Sequence, residues 1–361
     1  MKVAIIHDWL ITYRGGERVL QALLKLFPYA DIYTLFYLPK DPRIRNLVQK
    51  RNIYTSFFDR FYFIKNNWRK FLFLHPFAIK TLRLKEKYDF IISLHHCVSK
   101  SINTNGIYHY SYVFSPMRYL WLPELYFDNP LKIRLWEIIS HPLKIWDKLS
   151  ANNVNFFIAI SEEVKKRIKR FYSYNRRIEV IYPPVNTDFF KPDAKVKKED
   201  FYLFVGHLTE YKKATLVVKS FEKLKDKKLI VIGEGPLYKK LKKNIPENVQ
   251  LLGSVSDGEL RKYYQRAKCL IFPSFEDFGI VPLEAVSSGT PIIAFKKGGA
   301  YETLNEDICI FFEKQSEESL LEAIRKFEKK EFLSPQKMHE YVVNRFSEEK
   351  FLHNWKKLIY K

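Results

Sequence analysis

The chain has 361 residues, of which 47% are hydrophobic, enough for two domains with packed cores. Its formal net charge of +22 is too large for a partnerless neutral surface and calls for an anionic partner: nucleic acid, anionic lipid or a phosphorylated substrate. Three distant cysteines, Cys97, Cys269 and Cys309, argue against a disulfide framework or zinc site and fit a reducing cytosol, and no apolar run is long enough to span a bilayer.

Residues 3–6 read as a buried strand directly after Met1, which leaves no room for a signal peptide. A loop with Gly15 and Gly16 follows, and then the spacing of Val19, Leu20, Leu23 and Leu24 predicts a helix. Strand, glycine loop and helix form the unit of a parallel α/β sheet. Gly15 and Gly16 either let the backbone approach a ligand's phosphates or are a plain flexible turn. Segment 57–87 is dense in aromatics, among them Phe57, Phe61, Phe63, Trp68, Phe73 and Phe77, and in bases, among them Arg69, Lys70, Arg83 and Lys85. Aromatic anchors with basic neighbours suit an anionic membrane surface. The alternative is aromatics in the core under a solvated basic face.

Further strands are expected at 90–93 and 156–160, the second leading to a helix start at Ser161. His95 and His96 are adjacent on a strand, so they point to opposite faces and do not share a metal. Tyr182, Pro183 and Pro184 break regular structure, and polar residues 191–200 read as a linker. A second alternating series then opens, with strands at 201–206, 229–232, 249–252, 270–272 and 292–295. Gly233 and Gly235 begin like a dinucleotide fingerprint, but the third glycine is missing, so the segment reads as a loop lining a cleft. The sequence has no D-x-D, H-E-x-x-H or P-loop pattern, and neither a metal nor a cofactor is expected.

The stretch from 270 to 291 carries the most chemistry. A short apolar run precedes Pro273, Ser274, Glu276, Phe278, Gly279, Ile280, Pro282 and Glu284. Gly279 permits a tight turn, Pro282 suits the first turn of a helix and Gly289 can end it. Glu276 then sits just past a strand and Glu284 in the first turns of the helix. N–H groups at a helix start attract phosphate. Two carboxylates beside an anion site suit a sugar nucleotide, one on vicinal hydroxyls while the N–H groups hold the diphosphate. The bland alternative is two surface glutamates beside an ordinary turn.

Together with Gly289, Thr290 and Pro291, this pattern resembles the E-x7-E motif of the retaining family-4, or group 1, glycosyltransferases. The resemblance extends over nearly the whole chain: 3–9 with 15–20, Tyr182 to Val185, Gly206 to Lys212, Gly233 to Pro236, and Gly298 to Glu302. The opening, the double proline and the motif around Glu276 look most like the mannosyltransferases of bacterial O-antigen and polysaccharide synthesis. The resemblance implies an α/β GT-B fold: two Rossmann-like domains facing across a cleft. The expected boundaries are 1–190 for the acceptor domain, 191–345 for the nucleotide-sugar domain and 346–361 for a last helix returning to the first domain.

By the same resemblance Lys212 and Glu276 are the catalytic candidates. Gly15, Gly16, His207, Lys213, Phe278, Gly279, Ile280 and Glu284 are donor-binding candidates, and His96 and Arg118 lie on the acceptor side. Lys212 would meet the phosphates, Glu276 the donor-sugar hydroxyls and Glu284 the ribose diol. His207 stands where arginine is commoner and lacks a fixed forked charge. Phe114 stands where relatives have an active-site histidine, so that contact is dispensable or comes from another group such as His109 or Ser115.

The expected activity is retaining transfer of a hexose from a nucleotide sugar, GDP-mannose first, to a lipid-linked glycan on the inner face of the cytoplasmic membrane. Nucleic acid is not an expected partner. The rival readings are a nucleic-acid-binding protein with a basic aromatic groove and a nucleotide-sugar hydrolase or epimerase of the same fold.

Overall fold

Buried strands alternate with helices along the chain and sort into two parallel sheets, seen in a computed structural model that describes residues 1–127 and 129–360. The side chain of Arg69 lies outside the described set. The chain divides into two units: Met1–Pro183 together with the segment from Leu352 onward, and Pro184–Phe351.

The first sheet contains β1 (Val3–Leu10), β2 (Asp31–Tyr37), β3 (Ile53–Thr55), β4 (Phe90–His95), β5 (His109–Val113), β6 (Phe156–Ala159) and β7 (Ile178–Val180). Their spatial order is β3-β2-β1-β4-β5-β6-β7. All eight residues of β1 are buried, as befits an inner strand of a parallel sheet. β1 runs four residues beyond the expected strand, through His7 and Asp8 to Leu10. Those two polar residues break the apolar run, and their setting is described below. β2, β3, β5 and β7 were not expected. β2 and β5 mix threonine, serine, histidine and tyrosine with apolar residues, and β3 and β7 are only three residues long.

The expected glycine loop is corrected. Gly15 and Gly16 are the first two residues of the helix Gly15–Leu26. A carboxylate in the first turn, Glu17, accepts the N–H of Arg14 at 2.8 Å, and Val19, Leu20, Leu23 and Leu24 face the core as expected. The helix Glu162–Tyr172 starts where expected, with Ser161 Oγ accepting the Val164 N–H at 3.1 Å.

In the second unit β8 (Phe201–Val205), β9 (Lys228–Ile232), β10 (Val249–Gly253), β11 (Cys269–Phe272), β12 (Ile292–Phe295) and β13 (Cys309–Phe312) form a sheet ordered β10-β9-β8-β11-β12-β13. Its core joins Tyr202, Phe204, Phe221, Ile271, Ile293 and Phe327. β13 was not among the expected strands. The segment 184–190 packs into this unit. The Val185 N–H donates to the Phe346 carbonyl at 2.8 Å, and Phe190 is buried with its ring 5.7 Å from Tyr264. The last helix, Glu348–Ile359, starts in the second unit and ends in the first, where Trp355 is fully buried, its ring 5.7 Å from Tyr112.

Each sheet reverses its strand order once, between β1 and β4 in the first and between β8 and β11 in the second. Ligands of open parallel sheets bind at the carboxyl ends of strands at such a reversal.

Candidate functional site

In the second unit the reversal point carries the motif residues. Lys212 lies on the loop after β8 and Glu276 on the loop after β11, the two strands that flank the reversal. Their side chains form an ion pair between Lys212 Nζ and Glu276 Oε1, and both are partly shielded from solvent, at 14% and 19% exposure. Ser274 Oγ donates to the Lys212 carbonyl at 3.2 Å and ties the two loops together. The Lys212 ammonium also stands 5.3 Å from the centre of the Tyr211 ring.

Close backbone approaches hold these loops. The Gly299 N–H donates to the Glu276 carbonyl at 2.9 Å. A Cβ on Gly299 would lie 2.3 Å from the Phe278 Cα, so only glycine lets the loop after β12 clamp the segment that aims Glu276. The loop after β9 does the same for the loop carrying His207. A Cβ on Gly233 would sit 1.9 Å from the Gly206 carbonyl oxygen. Gly233 therefore serves as a contact point between backbones.

The helix Ile280–Ser287 follows Gly279, whose φ is 83°. Its first-turn N–H groups have no partner within the helix, and its positive dipole end lies at this point. Glu284, in its second turn, is buried, and its Oε2 accepts the Tyr264 hydroxyl at 3.3 Å. The Phe278 side chain turns inward, with its ring 5.9 Å from Phe346, so toward a ligand Phe278 offers its backbone. His207 is exposed on the same loop as Lys212. Lys213 adopts a left-handed φ of 58° just before the helix Ala214–Glu222.

The reversal point of the first unit holds a cluster that the sequence reading did not assemble. Asp8, at the carboxyl end of β1, is fully buried. Its Oδ2 accepts the N–H groups of His96 and Cys97, each at 2.9 Å, and its Oδ1 those of Val98 and Ser99 at 2.7 and 2.8 Å. His96 Nδ1 lies 3.1 Å from Asp8 Oδ2. Burial pushes the Asp8 carboxyl pKa up, but the neighbouring imidazoles and these N–H donors outweigh it and hold the group at about 2. The charge is thus fixed, and it orders the turn after β4.

His96 is the more accessible histidine of this cluster, with 29% of its side chain exposed. Loss of hydration lowers its pKa, Asp8 opposes that shift, and Arg118 adds to it. Because Nδ1 faces a fixed carboxylate, the neutral ring carries its proton there and presents Nε2 as an acceptor. His7 is buried, and burial lowers its pKa to about 4. Neither of its ring nitrogens has a hydrogen-bond partner among the described residues. Nε2 lies 3.9 Å from Glu17 Oε1 and 3.4 Å from where a Cβ on Gly16 would stand. Burial raises the Glu17 pKa.

Phe114 closes this cluster, its ring 6.1 Å from that of His96. Of the two stand-ins considered for the missing histidine, His109 is corrected. It sits at the opposite end of β5, buried, with Nδ1 3.1 Å from the Asn153 carbonyl and Nε2 2.8 Å from Ser93 Oγ. Ser115 follows Phe114 but is buried as well. The structure thus gathers Lys212, Glu276, His207, Lys213, Gly279, Ile280 and Glu284 in one unit, and Gly15, Gly16, His96 and Arg118 in the other. His7 and Asp8 were missed as site residues. Their signal was two adjacent polar residues at the end of an otherwise apolar strand.

Comparison with known proteins follows the same division. The sequence family described as Glycosyltransferase Family 4 matches residues 13–189, and that described as Glycosyl transferases group 1 matches residues 185–345. The O-antigen chain mannosyltransferase RfbU of Salmonella typhimurium is 29% identical over 191 residues, 50% of this chain and 53% of that protein. D-inositol 3-phosphate glycosyltransferase of Mycobacterium avium is 30% identical over 159 residues, 38% of this chain and 37% of that protein. The chain spans about half the length of the curated relatives it matches. Among solved structures, Anabaena HepE in complex with UDP-glucose superposes with a TM-score of 0.74 at 14% identity, covering 100% of this chain and 99% of that one. At that identity the likeness is one of fold.

Proposed function

Because the chain belongs to the family-4, group 1 glycosyltransferases of the GT-B fold, we propose that it moves a hexose, mannose from GDP-mannose in the first instance, onto a lipid-linked glycan with retention of anomeric configuration. The Lys212–Glu276 pair on the two loops flanking the reversal point of the second unit carries this reading. A cation and a carboxylate are held together beside a helix N-terminus, and a sugar diphosphate needs both. On donor binding the diphosphate competes for Lys212. Glu276, released from the ion pair, turns to the sugar hydroxyls. As the glycosidic bond breaks, negative charge grows on the departing diphosphate, where Lys212 and the helix start stabilise it. The acceptor proton passes to the leaving phosphate, so neither a metal nor a separate general base enters the scheme.

In the first unit we assign to His96 the hydrogen bond that the family's histidine makes and Phe114 cannot. Asp8 fixes its tautomer, and its Nε2 can accept from a sugar hydroxyl. Arg118 meets an acceptor phosphate. The mannosyl assignment draws on the likeness to RfbU, and the UDP-glucose in HepE names the main competitor. Family membership sets the nucleic-acid reading aside. The protein would work as a peripheral enzyme on the inner face of the cytoplasmic membrane, with the basic aromatic segment 57–87 toward anionic lipid.

Calorimetry against a panel of nucleotide sugars tests the donor. Lys212→Ala is expected to weaken nucleoside diphosphates roughly 10- to 150-fold, the range of one charge-assisted hydrogen bond, and to leave nucleosides unchanged. Equal losses for both would remove Lys212 from the phosphate site. Rapid donor turnover without any acceptor would make the protein a hydrolase or epimerase.

A further inference from the structure

The helix Pro130–Ser150 buries a stripe made largely of small polar and acidic residues and leaves a row of aliphatic side chains outward. Ser140, Leu143, Asp147 and Ser150 form the buried stripe. It is held by the fully buried Lys100, whose Nζ lies 2.7 Å from Asp147 Oδ1 and 2.5 Å from Ser150 Oγ. Leu131, Leu135, Ile138, Pro142, Ile145 and Leu149 recur at alternating steps of four and three residues and are all exposed. The two stripes are offset by two residues, roughly 200° around the axis, so they face opposite ways. Among the described residues, every exposed leucine and isoleucine lies on this one helix, at 48–77% exposure. A soluble surface scatters such residues singly, whereas a contiguous row marks an interaction face.

Charge selects the occupant. Lys132, Arg134 and Lys148 each stand one residue from the stripe, about 100° around the helix, and are exposed. Of the two acids on the helix, Asp147 is buried against Lys100 and Glu137 lies 3.8 Å from Lys144. A second copy of the chain would set these bases against their own kind, in a protein of net charge +22. An anionic bilayer takes both the apolar row and its basic margins. The inward side of the same helix meets the aromatic segment through Trp136, which continues the stripe of Ser140 and Leu143. The rings of Phe73 and Trp136 are 6.0 Å apart, and Lys70, Leu72, Phe73, Tyr119, Tyr126, Phe127 and Trp136 line an open groove of about 340 Å³.

We propose that this outward row lies in the headgroup–acyl boundary of an anionic membrane, with Lys132, Arg134 and Lys148 on the lipid phosphates. The helix is 21 residues long but carries charges throughout, and no helix of the described residues is long and apolar enough to cross a membrane. It therefore lies along the surface, as amphipathic helices with basic margins do. The inference rests on the membrane-docking part of the reading above and replaces its main contact, the segment 57–87, with an aliphatic one.

The test compares the whole protein with the variant Leu135→Ser/Ile138→Ser/Leu149→Ser. It measures sedimentation with phosphatidylglycerol-containing vesicles and, on the same preparations, nucleotide-sugar binding by calorimetry. All three positions are exposed, so the variant should melt like the parent. It is expected to lose vesicle binding on the order of 100-fold with donor binding unchanged, and Lys132→Ser/Arg134→Ser is expected to weaken vesicle binding at low salt and to flatten its fall with added salt. Unchanged vesicle binding by the triple variant overturns the inference. So does a parent dimer that the variant splits without losing vesicles, since the row is then a contact between copies. A parent that binds nucleotide sugars but no vesicles overturns it too and leaves the transferase reading standing. Loss of vesicle binding in a protein that binds no nucleotide sugar supports the inference and overturns the transferase reading.

Discussion

The two units share a parallel-sheet plan with one reversal point each, yet they treat polar groups in opposite ways. In the second unit the reversal point is built by glycine contacts between backbones, and its charges, Lys212 and Glu276, remain partly exposed. In the first unit the polar groups go inside. His7, His75, His95, His109, Asp8, Lys100 and Asp147 are all buried. Phe114 lies beside this cluster, its ring 6.1 Å from that of His96, which is 6.3 Å from that of His7. A donor site needs charges that a diphosphate can reach. The first unit instead uses the buried Asp8 charge to set turn geometry and buries neutral histidines, and the histidines make its stability depend on pH.

The strongest way to break this contrast is acid. His7, His75 and His109 are each lowered to about 4, chiefly by burial. A group whose folded pKa lies below its unfolded value of about 6.5 costs nothing at pH 7, where both states are neutral. As pH falls from 6.5 toward 4 the unfolded chain binds the proton first, so stability drops. At pH 5 each of the three should cost about 2 kcal/mol, together about 6 kcal/mol, a large share of a typical domain's stability. Asp8 adds its loss below about pH 4, as the carboxylate is protonated. Hydrogen exchange followed from pH 7 to 5 should show first-unit amides losing protection while those of the second unit keep it. Earlier loss in the second unit would end the contrast.

Asp8→Asn should sharpen it. The amide keeps the shape but turns one acceptor into a donor, so two backbone N–H groups of the turn after β4 meet an N–H₂ instead of an oxygen. The expected cost is about 3 kcal/mol in the first unit, with His96 losing its fixed tautomer. Denaturant unfolding gives the stability change, and calorimetry should find donor diphosphate affinity unaltered. A variant as stable as the parent would make the four N–H contacts incidental.

The smallest effects divide the two glutamates of the second unit. Glu284→Gln should mainly raise the donor KM, by the worth of one hydrogen bond to the ribose diol, about 1 kcal/mol. Glu276→Gln should mainly lower kcat, because it touches the sugar whose geometry changes as the bond breaks. With a 2′-deoxyribose donor the Glu284→Gln loss should nearly vanish, its partner hydroxyl being already absent. A full additional loss there would take Glu284 off the ribose.

The sequence by itself determined the family plan, the strand–turn–helix that carries Glu276 and Glu284, and the fixed distance of Lys212 from β8. These depend on local spacing: an apolar run, a glycine at a turn, a proline in a first helical turn. The family resemblance also located the last helix, in which Phe351 and Trp355 are buried. Tertiary structure alone decided that Lys212 pairs with Glu276, that Gly233 and Gly299 are contact points between backbones, and that Asp8 collects four N–H groups from a turn 88 to 91 residues away. Such contacts join segments far apart in the chain, and residue types and spacing carry no record of which distant partner is met. The helix Pro130–Ser150 shows this most plainly. Its apolar periodicity argues for burial of the aliphatic row, and only packing decided that Ser140, Leu143 and Asp147 face inward around Lys100 while Leu131, Leu135, Ile138, Ile145 and Leu149 face out.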